Sequence, residues 1–174
     1  AYANLSIDLA HTADNILTLS ITSGLSTDTL QELQYASEFV DVSVETMNGS
    51  ITKLIKNMDS ARDGNEGLQK TFAQLGVKYK DGNKQLRDAE DVFYDLVDAL
   101  GKVKNETDRD AMAMELFGKS ARDLNPLIEA GSKRLKELGN EAHEVGYVLS
   151  NDTLQSAGAF DDAMQSMDRK IEAV

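Results

Sequence analysis

His143 and Glu144 stand side by side, and such a pair opens the zinc-protease motif, in which two histidines four residues apart hold the metal and the glutamate acts as base. Position 147 is Tyr147, so the second ligand is missing; the only other histidine is His11. Ser50 and Lys53 have the Ser-x-x-Lys spacing of penicillin-recognising enzymes, but the companion Ser-Asp-Asn and Lys-Thr-Gly elements are absent. Asp91, Asp95 and Asp98 fall near one helical face and resemble an acid-base set, yet without polar partners they read as a solvated face. The stretch from Asp81 to Asp91 lacks the alternating Asp/Asn ligands and terminal Glu of a calcium loop, and a turn followed by a helix cap accounts for it. Asn4, Asn48, Asn105 and Asn151 each begin an Asn-x-Ser/Thr sequence that accepts glycans in secreted proteins. Asn105 and Asn151 lie where helices start, and such residues cap free N–H groups there. The residues therefore predict no catalytic site, no cofactor and no metal, and the chain is expected not to be an enzyme.

The composition points the same way. With 174 residues, 41% of them hydrophobic, the chain can bury a real core, and one proline with no tryptophan favours helices. Thirty acidic against eighteen basic residues give a formal charge of −12, which repels phosphate backbones and anionic headgroups, so direct nucleic-acid binding is not expected. The absence of cysteine removes disulfides and thiolate chemistry. No apolar run approaches the roughly twenty residues of a membrane span. A start at Ala1 and a stop at Val174 inside an apolar periodic pattern suggest one helical module, 1–174, excised from a longer protein.

The strongest pattern is a seam at alternating three- and four-residue spacing: Leu30, Leu33, Ser37, Val40, Val44, Met47, Ile51, Leu54 and Met58. It predicts one long helix over about 28–62 that buries a narrow stripe against another helix, with Ser37 and the Asn48–Gly49 pair as its weakest points. Tyr2, Leu5, Leu9, Thr12, Ile16 and Leu19 share a face before Gly24, and Ser26, Thr27 and Asp28 offer caps, so an N-terminal helical hairpin is expected. A short helix from Leu68 to Leu75 ends at Gly76, and Val77, Tyr79, Asp81, Gly82 and Leu86 predict one small β-hairpin near 77–87. Asp88 then caps a helix bearing Val92, Phe93, Leu96, Val97, Leu100 and Val103; Ala111, Met114 and Phe117 mark another, stopped near Gly118. Asn125 is expected to cap a piece with Pro126 in its first turn, ended by Gly131. Leu135, Leu138, Ala142 and Val145 mark the next helix, and Leu154, Ala157, Phe160, Met164, Met167 and Ile171 the last, capped by Ser150 or Asn151. The fold class is thus mainly α, a multi-helix bundle. The seam is compatible with packing inside the chain or with a self-associating coiled coil, and the glycine breaks favour an internal partner, Tyr2 to Leu19. Met112, Met114, Met164 and Met167 read as core filler or as an adaptable binding surface.

The run from Glu106 to Gly131, ETDRDAMAMELFGKSARDLNPLIEAG, resembles a stretch typical of the tail length tape-measure proteins of long-tailed bacteriophages and prophages. Gly24 to Ala36, Leu75 to Asp88 and Glu90 to Lys102 agree with it in the order that family shows. The resemblance implies a structural virion protein that lies in the tail-tube lumen, sets tail length as a scaffold for tube assembly, and takes part in genome ejection. It further implies assembly in the bacterial host cytoplasm and contacts with tail-tube and tail-tip proteins, with self-association as a further option. A helical adaptor of prophage origin acting on a host partner is the alternative. A single helix of all 174 residues would span roughly 260 Å at about 1.5 Å per residue. The glycines at 24, 64, 76, 82, 118, 131 and 146 argue instead for a folded module.

Overall fold

Short polar side chains decide where the helices begin. Ser26 accepts from the Thr29 N–H, Ser43 from Thr46, Asn65 from Leu68, Asp88 from Glu90, Asn105 from Asp108 and Ser150 from Thr153, each supplying one of the partners a helix start lacks. In the computed structural model, which describes the backbone of residues 2–159 and the side chains of 11–159, the chain is mainly helical. The order is α1 (Tyr2–Ser23), α2 (Thr27–Phe39), α3 (Val44–Arg62), α4 (Glu66–Leu75), α5 (Ala89–Gly101), α6 (Glu106–Phe117), a 3₁₀ stretch (Lys119–Leu124) and α7 (Asn125–Glu144). Residues 151–159 are helical as well.

Helix ends are set by left-handed turns. Gly64, Gly76 and Gly146 have φ of 109°, 68° and 74°. Each lets the next N–H reach back five residues, Asn65 to Ser60, Val77 to Phe72 and Tyr147 to Ala142, at 2.9–3.0 Å.

The single helix expected over 28–62 is two helices. Asp41 takes the left-handed conformation with φ 55°, Val42 N–H closes on Ser37 O at 3.0 Å, and buried Val42 seals the corner before Ser43 caps α3. An aspartate thus performs the chain reversal that glycine performs elsewhere, which is why no glycine marks it. The Asn48–Gly49 pair, by contrast, lies inside an unbroken α3.

The β-hairpin near 77–87 is also corrected. Lys80 and Leu86 form one isolated bridge, and the turn between them is tied by the Asp81 carboxylate, which accepts from Asn83 and Gln85 N–H at 2.8 and 2.9 Å. Val77 is buried and Tyr79 stacks on Phe72 at 4.6 Å, while α4 ends at Gly76 and α5 is already capped at Asp88. Too few residues remain on either side of the turn for a ladder to grow.

The break at Gly131 is present, with φ 79° and ψ 159° inside α7. Asn125 does not cap that helix; it is the first helical residue and donates to Asp110 Oδ1 at 3.2 Å. The N-terminal hairpin of α1 and α2 is present, turned at Gly24. One hydrophobic cluster draws on α2 to α7, and a smaller one joins Ala13 and Ile16 to Leu154. Three helical faces shift. Ala113, Leu116 and Phe117 form the buried side of α6 while Ala111 and Met114 are exposed, Thr12 is exposed beside buried Ala13, and Val145 lies exposed beyond the end of α7. Phe160, Met164, Met167 and Ile171 lie outside the described residues.

Because an L-residue in the left-handed region is strained and glycine is not, Asp41→Gly should stabilise the fold by about 0.5–1 kcal/mol, and Asp41→Val should destabilise it by about 1–2 kcal/mol. Urea unfolding checks both, and an unchanged midpoint for the valine variant would show that the turn imposes no such constraint.

Candidate functional site

The seam is the only constellation that the sequence assigns a role, and the structure divides it. Leu30, Leu33, Met47, Ile51, Leu54 and Met58 are each at most 2% exposed. Val40 and Val44 flank the Asp41 corner and are only half-buried. Ser37, the polar rung, is fully buried and donates to Gln34 O at 2.7 Å, while its own carbonyl closes the corner. The two halves have different main partners. α2 packs most extensively on α7 and less on α1, whereas α3 faces mainly α4, α6 and the 3₁₀ stretch, with smaller contacts to α5 and α1. The expectation that Tyr2 to Leu19 fills the seam is therefore corrected: the occupant lies within the chain, but α7 is the main partner of α2. The reason is that α1 turns Ala13 and Ile16 toward Leu154 and gives the main core a half-buried Leu19. Tyr2, Leu5 and Leu9 lie outside the described side chains.

Polar side chains fix how these helices meet. Gln31, 2% exposed, donates from Nε2 to Leu149 O at 3.1 Å and accepts from Leu149 N–H at 2.8 Å, so its amide pairs with the connection after α7 as a neighbouring strand would. Glu32 Oε1 lies 2.7 Å from His143 Nε2, and a Cβ at Gly139 would sit 3.0 Å from the other Glu32 oxygen, so a larger residue there would push the Glu32 side chain aside by a few tenths of an ångström. Asn57 donates to the carbonyls of Glu115 and Leu116, both at 2.9 Å, covering free acceptors at the end of α6. Asp98 accepts from Ser132 N–H at 2.9 Å and Ser132 Oγ at 2.6 Å, so α5 caps the half of α7 that restarts after Gly131. These four anchors were missed in the sequence because each is a contact across more than thirty residues.

The candidate chemistry disperses. Ser50 is fully buried, its Oγ without a hydrogen-bond partner, whereas Lys53 is exposed and packs over Gly118. His143 is engaged by Glu32. Asp91 is exposed, Asp95 pairs with Arg87 at 2.8 Å and Asp98 serves as a cap, so the three carboxylates share no centre. Asp95 and Asp98 do border an open cleft of about 530 Å³ with Gln74, Lys102 and Val103. Among the described residues no group of three or more His, Asp or Glu side chains is placed to hold a metal, and no helix is long and apolar enough to cross a membrane. Of the methionines, Met112 packs on the core and Met114 is exposed; Met164 and Met167 lie outside the described residues.

No family model, curated protein or solved structure matches this chain.

Two measurements test the site. Ile51→Asp buries an unpaired charge and should cost several kcal/mol. Val44→Asp is half-exposed at the first position of α3, where the helix dipole favours an acid, and should change stability by less than about 1 kcal/mol. Equal losses in the two variants would contradict this division of the seam. For Asp98, burial pushes the carboxyl upward, but the two Ser132 bonds with Lys102 and Lys136 outweigh it and hold the group below its ordinary value. An unfolded aspartate titrates near about 3.9, so the cap contributes fully above that pH and fades as pH falls through the lower folded value. Asp98→Ala should then cost about 1 kcal/mol at neutral pH and converge on the parent as pH falls below the lowered folded value. A gap that stays constant on acidification would refute the capping role.

Proposed function

We propose that this chain is a non-enzymatic structural segment of a tail tape-measure protein, present in the phage tail as a folded helical module. The observation that carries the proposal is the linear resemblance of Glu106 to Gly131, with three further segments in the same order between residues 24 and 102. The geometry is compatible with a structural part. The seam that would otherwise drive an open coiled coil is consumed inside the chain, on α7 for α2 and on α4 to α6 for α3. A module of this kind acts through its outer surface and its length, and its interior supports that surface.

The reading separates into two parts that one experiment distinguishes. A folded stretch of 127 residues has a diameter of roughly 35–40 Å, whereas the same stretch as one helix spans roughly 190 Å. Duplicating residues 24–150 in the parental protein should give assembled tails that contain it and are longer by less than about 50 Å, read by electron microscopy and mass spectrometry. Lengthening near 190 Å would reject the folded module, and tails that assemble normally without the protein would reject the tape-measure reading.

A further inference from the structure

The Asp41 corner leaves an apolar surface open. Phe39, 56% exposed at the end of α2, stacks on Tyr35 at 4.8 Å, and Tyr35 meets Tyr147 edge-on at 5.1 Å. Tyr147 also forms one wall of a groove of about 550 Å³ between α1 and the α2–α3 corner, whose apolar lining is Ile16, Leu19 and Val44. Val145, 62% exposed, lies two residues from Tyr147. The aromatic ladder and the groove are thus one continuous surface, rimmed by Gln34 and Asn48, and the Asn48 Oδ1 has no hydrogen-bond partner. Phe39 and Tyr147, exposed on either side of the buried Tyr35, are joined to a concavity, and such an arrangement marks a contact surface more often than scattered exposed aromatics do.

Charge identifies the occupant. Glu38 accepts from the Tyr147 hydroxyl and Glu141 from the Tyr35 hydroxyl, both at 3.3 Å; Glu45 lines the groove. Asp41 stands in the corner, and Glu144 precedes Val145. The tyrosine hydroxyls register this field: both are pushed above their ordinary value, by burial first and then by Glu141 at Tyr35 and by Glu38 at Tyr147. Arg134 also acts on Tyr35, but it is paired with Glu137 at 3.7 Å. α2 ends at Phe39 with no basic residue in its last turn, so the negative end of its dipole faces the same surface, whereas the N-terminus of α3 already holds Glu45. We propose that this surface docks a cationic amphipathic helix of a partner protein, its apolar side in the groove and on the aromatic ladder and its Lys or Arg residues on the carboxylate rim. A second copy of this acidic chain would bring like charge to the rim, which opposes self-docking there.

Selection of a random sixteen-residue peptide library on the purified chain tests this. Enriched peptides are expected to be net positive, with apolar residues at three- and four-residue spacing. Their binding should weaken at least tenfold in Phe39→Ser/Tyr147→Ala, and at least tenfold in Glu38→Lys/Glu45→Lys, which keeps the apolar surface. Both variants change exposed positions, and circular dichroism and thermal melting establish that they remain folded; should the first not fold, the charge variant decides. Rising salt should weaken binding as well. No enrichment, enrichment of neutral or acidic peptides, or binding that survives the charge variant overturns the proposal. So does concentration-dependent dimerisation abolished by Phe39→Ser/Tyr147→Ala, which would make a second copy the occupant.

Discussion

The left-handed turn at Asp41 governs how the bundle is assembled. A helix carrying nine seam positions without interruption would be about 45 Å long and would need a partner of the same length. Val42 N–H closing on Ser37 O at 3.0 Å ends α2 instead, and Ser43 starts α3 in a new direction. Each half then finds partners of ordinary length, α7 for the first and α4 to α6 for the second. One residue in an uncommon backbone conformation converts a rod-forming pattern into an internal core. The same corner leaves Val40 and Val44 only half-buried, and Val44 lines the groove that opens there.

Apolar seams alone permit sliding by a turn, because leucine, isoleucine and methionine tolerate many registers. Directional bonds remove that freedom here. Gln31, Asn57 and Asp98 each bond to backbone groups of another element that lie at helix ends or in connections. A one-turn slip would leave both sides unsatisfied, at about 1–3 kcal/mol for each buried group. The Glu32 to His143 contact adds a steric condition, since the approach passes over Gly139 where no Cβ fits comfortably.

What was legible in the sequence follows from range. Helix starts rest on side-chain bonds two or three residues away, so Asp88 and Asn105 could be read directly, Ser26 and Ser150 to within one or two residues, and the stops at Gly76, Gly118 and Gly131 likewise from glycine. The buried identity of Leu33, Ile51 and Leu54 followed from period alone. The break at Asp41 was not legible from glycine punctuation; the signal present was the run Val40-Asp41-Val42-Ser43, two β-branched residues around an aspartate and a serine cap. The strand pairing inferred at 77–87 failed because alternation at Val77 and Tyr79 records packing on Phe72, not a ladder. The partner of the seam was beyond reach, since α7 lies about a hundred residues away and period specifies a face without naming what covers it.

The acidic excess is placed with some economy. Asp28, Glu45, Glu66, Glu90, Asp91, Glu106 and Asp108 all lie in first turns of α2 to α6, where the helix dipole favours a negative charge by about 0.3–1 kcal/mol each. At the opposite ends only Arg62 and His143 stand in a last turn of the helices from α2 to α7; left-handed turns at Asp41, Gly64, Gly76 and Gly146 close α2, α3, α4 and α7, and Asn57 covers the end of α6. The exception to the economy is Glu90, which burial and then the neighbouring Glu32, Asp88 and Asp91 push upward, against a compensating bond from Thr29 Oγ1 at 2.9 Å. Repulsion among carboxylates farther apart than about 8 Å is largely screened at physiological ionic strength, whereas an acid within one turn of a helix start keeps most of its favourable term. The chain can therefore carry a formal charge of −12 while part of that charge works in favour of its helices.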